Sequence, residues 1–199
     1  MLTKTQIKIM DVFVSKITND FSIKEISELI KKPYPLVHKS VKSLVEKRFV
    51  IKNKRKLLSL NYKGDISSLA YIESIRTDDF LKKNKTIALF VNDVLEKIGL
   101  DYFTLLFFGS YVKGEQKKGS DVDVLVVIED KSKINKIEKI LYNIASNFSL
   151  KFDINVIAVE SAYEMLAKRD EANIINESLN NHILVFGAEN YYRLLKNAR

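Results

Sequence analysis

The chain has 199 residues, 46% of them hydrophobic, with a formal charge of +8 and no cysteine. That is apolar material for one domain or two small ones. Having no cysteine and only two histidines, His38 and His182, excludes disulfides, thiolate metal sites and a histidine-rich metal centre. No apolar run approaches the ~20 residues that span a bilayer. The opening MLTKTQIKIMDVF lacks a signal peptide's apolar segment. The expectation is a soluble cytoplasmic protein without a membrane partner. The charge is uneven. Residues 1–65 hold 15 Lys/Arg against 6 Asp/Glu, while residues 66–199 hold 18 against 19. A basic N-terminal third points to an acidic partner, most often nucleic acid.

Ile7, Met10, Phe13, Val14 and Ile17 recur at helical spacing and predict a first helix. SIKE, Ser22 to Glu25, has the form of a capping box opening a second helix, with Ile23, Ile26, Leu29 and Ile30 as its stripe. Pro33 and Pro35 stop that helix and admit a third, from about Leu36 to Lys47. Val37, Val41, Leu44 and Val45 give the third helix an inner face, and His38, Lys39, Lys42 and Ser43 are read as outward. FVIKNKRKLLSL predicts two short strands around Asn53-Lys54-Arg55.

Three helices and a basic-tipped hairpin resemble a winged helix-turn-helix domain, here residues 1–65. The resemblance implies DNA contact by Lys39, Lys42 and Ser43 on the third helix and by Lys52, Lys54, Arg55 and Lys56 on the wing. Winged-helix proteins often pair to read two half-sites, so a homodimer is expected. Residues 66–85, with the charged run RTDDFLKKNK, read as a linker.

The remainder, residues 86–199, alternates strands and helices, which predicts an α/β (α+β) domain with a helix-covered sheet. A helix over about Thr86–Ile98 precedes strands at 101–108 and 121–128. A helix marked by Ile134, Ile137, Leu141, Ile144 and Phe148 leads to a strand at 151–159. A helical region from Ser161 to about Leu179, a short strand at 182–187 and a last helix follow.

The stretch FFGSYVKGEQKKGSDVDVLVV carries the chemistry. Strand residues alternate faces, so Asp121 and Asp123 point one way while Val122 and Val124 pack. Neighbouring carboxylates repel unless a cation lies between them, and a hard ion such as Mg²⁺ takes oxygen ligands. Asp153 interrupts the apolar LKFDINVIAV and is the candidate third acid. Gly109 and Ser110 enter a helix directly from a strand and can offer N–H groups and a hydroxyl to an anion. Lys113 stands one turn on. An anion cradle beside grouped carboxylates suits metal–triphosphate chemistry, with two ions serving the attacking and leaving groups. Each feature alone also has an ordinary structural reading; their order and spacing together outweigh it.

This pattern resembles the signature of nucleotidyltransferases related to DNA polymerase beta, of the minimal type: Gly-Ser, a loop, Asp-x-Asp and a later acid. The likeness covers roughly residues 87–187. It implies a mixed sheet flanked by helices and transfer of NMP, first of all AMP from ATP, to a hydroxyl. It implies metal binding and catalysis by Asp121, Asp123 and Asp153 with Mg²⁺, or Mn²⁺ in its place. It implies nucleotide binding by Gly109, Ser110 and Lys113. Many relatives have arginine where this chain has Lys113, which keeps the charge and loses bidentate phosphate geometry. Several minimal members are antitoxins that modify a partner protein encoded beside them. Acceptors left open are a protein, a small molecule and an RNA end. The alternative is a DNA-binding regulator whose C-terminal domain senses nucleotide. His182, Tyr191 and Tyr192 read as packing residues, the tyrosines with stacking on a base as their second use.

Overall fold

Two reciprocal capping boxes open the chain. The computed structural model describes residues 2–168 and 170–198. Helix α1 (Lys4–Ser15) starts where Thr3 Oγ1 accepts from Gln6 N at 3.2 Å and Gln6 Oε1 accepts from Thr3 N at 2.9 Å. Helix α2 (Ile23–Leu29) uses the box predicted from SIKE, with Ser22 N donating to Glu25 Oε2 at 2.6 Å. Helix α3 (Tyr34–Glu46) begins two residues earlier than expected because Pro33 caps it and Pro35 fits its first turn. Strands β1 (Val50–Lys52) and β2 (Leu58–Leu60) pair antiparallel, Val50 opposite Leu60.

Residues 66–83, expected to be linker, form helix α4 (Ile66–Lys83), capped by Asp65 Oδ1 on Ser68 N at 3.1 Å. Asp78, Asp79, Lys82 and Lys83 of the charged run are exposed on this helix, whereas Arg76 and the preceding Glu73 are turned inward and paired. Glu73 is fully buried. Its carboxylate accepts from Tyr192 Oη at 2.7 Å, lies 3.2 Å from His182 Nε2 and pairs with Arg76. Arg76 also reaches Asp11 of α1 at 2.8 Å and the His182 carbonyl at 2.7 Å. Thr77 Oγ1 donates to the Leu184 carbonyl at 2.6 Å. His182, Tyr191 and Tyr192 are all buried, so they pack and are not free to meet a base.

Helix α5 (Lys85–Lys97) leads into strand β3 (Phe103–Phe108), the short helix α6 (Gly109–Lys113) and strand β4 (Val122–Ile128). Helix α7 (Ile134–Ala145), strand β5 (Phe152–Ala158) and helix α8 (Val159–Ala167) follow. The single helical region expected up to Leu179 breaks into α8 and α9 (Ile174–Ser178). Strand β6 (Ile183–Phe186) and helix α10 (Ala188–Asn197) complete the described chain.

The sheet order is β5-β4-β3-β6. Strands β4 and β5 run parallel, and β3 pairs antiparallel with both β4 and β6. Alternation along the strands sends Leu105, Phe107, Val124 and Val126 to α5 and α7, where Phe90 stacks on Phe152 at 4.0 Å between centroids. Leu106, Phe108, Leu125 and Val127 face the other way. There they join one apolar cluster that runs through Leu69 and Ile72 of α4 into Ile9, Phe13 and Leu44 of the N-terminal helices. Burying an average core side chain is worth ~1.5–3 kcal/mol, so this shared core binds the N-terminal unit to the sheet strongly.

Candidate active site

The acids gather at the end of the sheet where β3 leaves and β4 and β5 begin. Asp123 is opposite Phe108 on β3 and beside Asp153 on β5. Residues in register on neighbouring strands share a face ~4.8 Å apart, so the two carboxylates stand side by side. The chain turns away from β3 at Gly109, with φ of +70°. A Cβ built there would overlap Asp123 Oδ2 and lie 2.7 Å from its Cγ. Only glycine permits both this left-handed turn and this close approach.

Asp123 is half-buried, and Asp121 and Asp153 are exposed. The Asp123 carboxyl is pushed above the ordinary aspartate range, first by burial, then by the charges of Asp153, Glu177 and Asp121. Glu177, on α9, was not among the residues predicted for the site. It lines the cleft with Phe108, Asp123, Asp153, Asn155 and Asn173. Nothing in the local pattern of NIINES sets it apart; only the tertiary placement of α9 over the strand ends brings it here.

The donor set is all oxygen, as a hard divalent cation requires, and the uncompensated Asp123–Asp153 pair suits one. Among the described residues, no three Asp, Glu or His side chains close around one point tightly enough to ligate an ion by themselves. Ser110 is half-buried next to Gly109 in α6. Lys113 is exposed at the far end of α6 and forms no ion pair among the described residues.

In the N-terminal unit, Lys39, Lys42, Lys52, Lys54, Arg55 and Lys56 are exposed. The hairpin turn is shaped by Asn53, whose Oδ1 accepts from Arg55 N at 2.9 Å and Leu57 N at 3.0 Å. Ser43 departs from the expectation. It is half-buried, and its Oγ accepts from Gln6 Nε2 of α1 at 3.1 Å. It therefore does not share the outward face of Lys39 and Lys42.

Residues 87–185 match the nucleotidyltransferase domain family. The chain carries a nucleotidyltransferase domain. The match brackets the Gly109 turn, Asp121, Asp123 and Asp153, and it contains Glu177. The chain is also similar to two proteins of Methanocaldococcus jannaschii named "Putative protein adenylyltransferase", MJ0141 and MJ1305. Identity to the first is 36% over 70 residues, 35% of this chain and 63% of that protein. Identity to the second is 26% over 118 residues, 58% and 73% of the respective chains. No solved structure matches the chain significantly. Among the described residues, no helix of this nucleotidyltransferase-domain protein is long and apolar enough to cross a membrane.

Proposed function

We propose that the protein transfers a nucleoside monophosphate, AMP from ATP in the first instance, to a hydroxyl of a partner protein. One observation carries this reading: within a nucleotidyltransferase domain, Asp123 and Asp153 stand side by side against the glycine turn at Gly109. The names of the two archaeal relatives support adenylyl as the group moved and protein as the acceptor class.

In this reading Asp121, Asp123 and Asp153 hold Mg²⁺. Gly109 and Ser110 present N–H and hydroxyl donors to the triphosphate, and Lys113 swings toward it from the end of α6. When bound, Mg²⁺ neutralises charge on the triphosphate and on the departing pyrophosphate. Asp153 accepts a hydrogen bond from the acceptor hydroxyl and aims its oxygen at the α-phosphorus. The new O–P bond forms as the bond to pyrophosphate breaks, and the hydroxyl proton leaves through the Asp153 carboxylate.

The N-terminal unit acts as a winged helix that grips DNA through Lys39 and Lys42 on α3 and through Lys52, Lys54, Arg55 and Lys56 on the hairpin, as a homodimer on two half-sites. Ser43 drops out of that surface because it is turned toward α1. The combination fits an antitoxin of the cytoplasm that modifies a toxin encoded beside it.

The test uses radiolabelled ATP and Mg²⁺ with the product of the neighbouring gene. Label on that protein with wild type, and a loss of at least ~10³-fold in the Asp121→Ala/Asp123→Ala double variant, is the expected result. A second reading, a DNA-binding regulator that senses nucleotide without turnover, draws on the fact that no three acids close around one ion among the described residues. It is the outcome if ATP binds and no acceptor is labelled.

A further inference from the structure

We propose that Glu177 is a specificity-determining carboxylate of the cleft, selecting an acceptor hydroxyl carried on a cationic peptide segment, and that Asn180 is its positioning residue. This deepens the transferase reading above and rests on it.

Glu177 is exposed on α9 and looks into the cleft that holds Asp123 and Asp153. None of the described residues lining this cleft is lysine or arginine. Among the described residues the Glu177 carboxylate forms no ion pair, so the protein itself supplies it no counter-charge. An RNA end would bring phosphates against it, and like charges brought together in an interface reject a partner. Lysine and arginine side chains beside the acceptor hydroxyl supply the missing positive charge.

The position of Glu177 is built, and much of it is built by the N-terminal unit. Helix α9 has five residues, too few to stand alone. At its start Asn173 Oδ1 accepts from Asn176 N at 2.9 Å. At its end the chain is stitched to the turn after α1. Asn181 N donates to the Ser15 carbonyl at 2.6 Å, and Ile17 N to the Leu179 carbonyl at 3.4 Å. Asn180 Nδ2 donates to Thr18 Oγ1 at 2.6 Å, while its Oδ1 accepts from Thr18 N at 3.3 Å. Asn180, which makes this double clasp, lies three positions after Glu177.

The experiment measures binding of two short fluorescent peptides, a serine flanked by lysine and arginine and the same serine flanked by aspartate and glutamate. The full chain is held saturated with Mg²⁺ and the non-transferable analogue α,β-methylene-ATP. The basic peptide binds and the acidic one does not, although the protein's own charge of +8 favours the opposite. Glu177→Gln weakens the basic peptide about three- to fivefold, and Glu177→Asp restores part of the loss. Asn180→Ala shifts affinity the same way by less. Equal binding of the acidic peptide, or a basic peptide indifferent to Glu177→Gln, overturns the proposal. Failure of the transferase reading shows separately, as nucleotide-analogue binding that ignores both Mg²⁺ and the Asp121→Ala/Asp123→Ala change.

Discussion

Two carboxylates in this molecule have been taken out of bulk water, and they are treated in opposite ways. Glu73 is fully buried between α1, α4 and α10, and Arg76, His182 and Tyr192 converge on it. Burial pushes its carboxyl up, but the Arg76 and His182 charges and the hydrogen bonds outweigh this, and it lies below the ordinary glutamate value. Asp123 is only half-buried, yet burial and the charges of Asp153, Glu177 and Asp121 all push it upward. The first carboxylate is satisfied by the fold itself. The second is left for something the fold must recruit. The difference separates a carboxylate compensated by its neighbours from one left uncompensated, without reference to any motif.

The contrast can be broken at either end. The largest effect is expected from Glu73→Ala, which strands Arg76 and His182 in the core. Removing one partner of a buried ion pair costs about 3–5 kcal/mol. At this chain length that lowers Tm by roughly 6–20 °C, read by thermal denaturation, and per folded molecule the cleft is unchanged. Gly109→Ala acts at the other end. The added methyl meets the Asp123 carboxylate, and the left-handed turn adds about 1 kcal/mol of strain. Nucleotidyl transfer falls by about 10²-fold, as a displacement near 1 Å at a reacting centre does, while Tm drops by only a few degrees.

The smallest effect has the most informative sign. Because the folded pKa of Asp123 is raised, ionising it costs stability above that pKa. The cost disappears as pH falls through the folded value toward the ordinary ~3.9 of aspartate. Asp123→Asn therefore raises Tm by about 1–2 °C at pH 7, and the gain vanishes near pH 4. Glu73 behaves inversely. Its folded pKa is depressed, so its contribution is complete above the ordinary ~4.3 of glutamate and is lost as pH falls through the lower folded value. A series of melting curves for wild type and Asp123→Asn across this range checks both signs.

The same contrast explains what the sequence made legible. The Asp123 site is written locally: a strand, a Gly-Ser turn, a loop and alternating acids, all within one stretch, so the strands and Asp121, Asp123 and Gly109 could be placed from periodicity. Asp153 could be added because a charge in an apolar strand stands out. Glu73 and Arg76 are charged residues in a charged segment, and only partners more than 60 positions away, Asp11 on one side and His182 and Tyr192 on the other, make them core. That is why residues 66–83 read as a tether and fold as a helix. Glu177 was missed, and Ser43 was read as outward, for the same reason. Each is an ordinary polar residue whose facing is decided by a distant element, α9 over the strand ends in one case and Gln6 of α1 in the other.

The helix that replaces the expected tether has a dynamic consequence. Amide protons in a true linker trade with solvent deuterium almost at once, whereas those of an element clamped from several sides exchange only when the molecule opens globally. Around Glu73 and Thr77, α4 is held by α1, β6 and α10 together. Its middle turns belong among the slowest-exchanging amides of the chain. The segment whose sequence looks most like a joint is thus where the molecule is least able to bend.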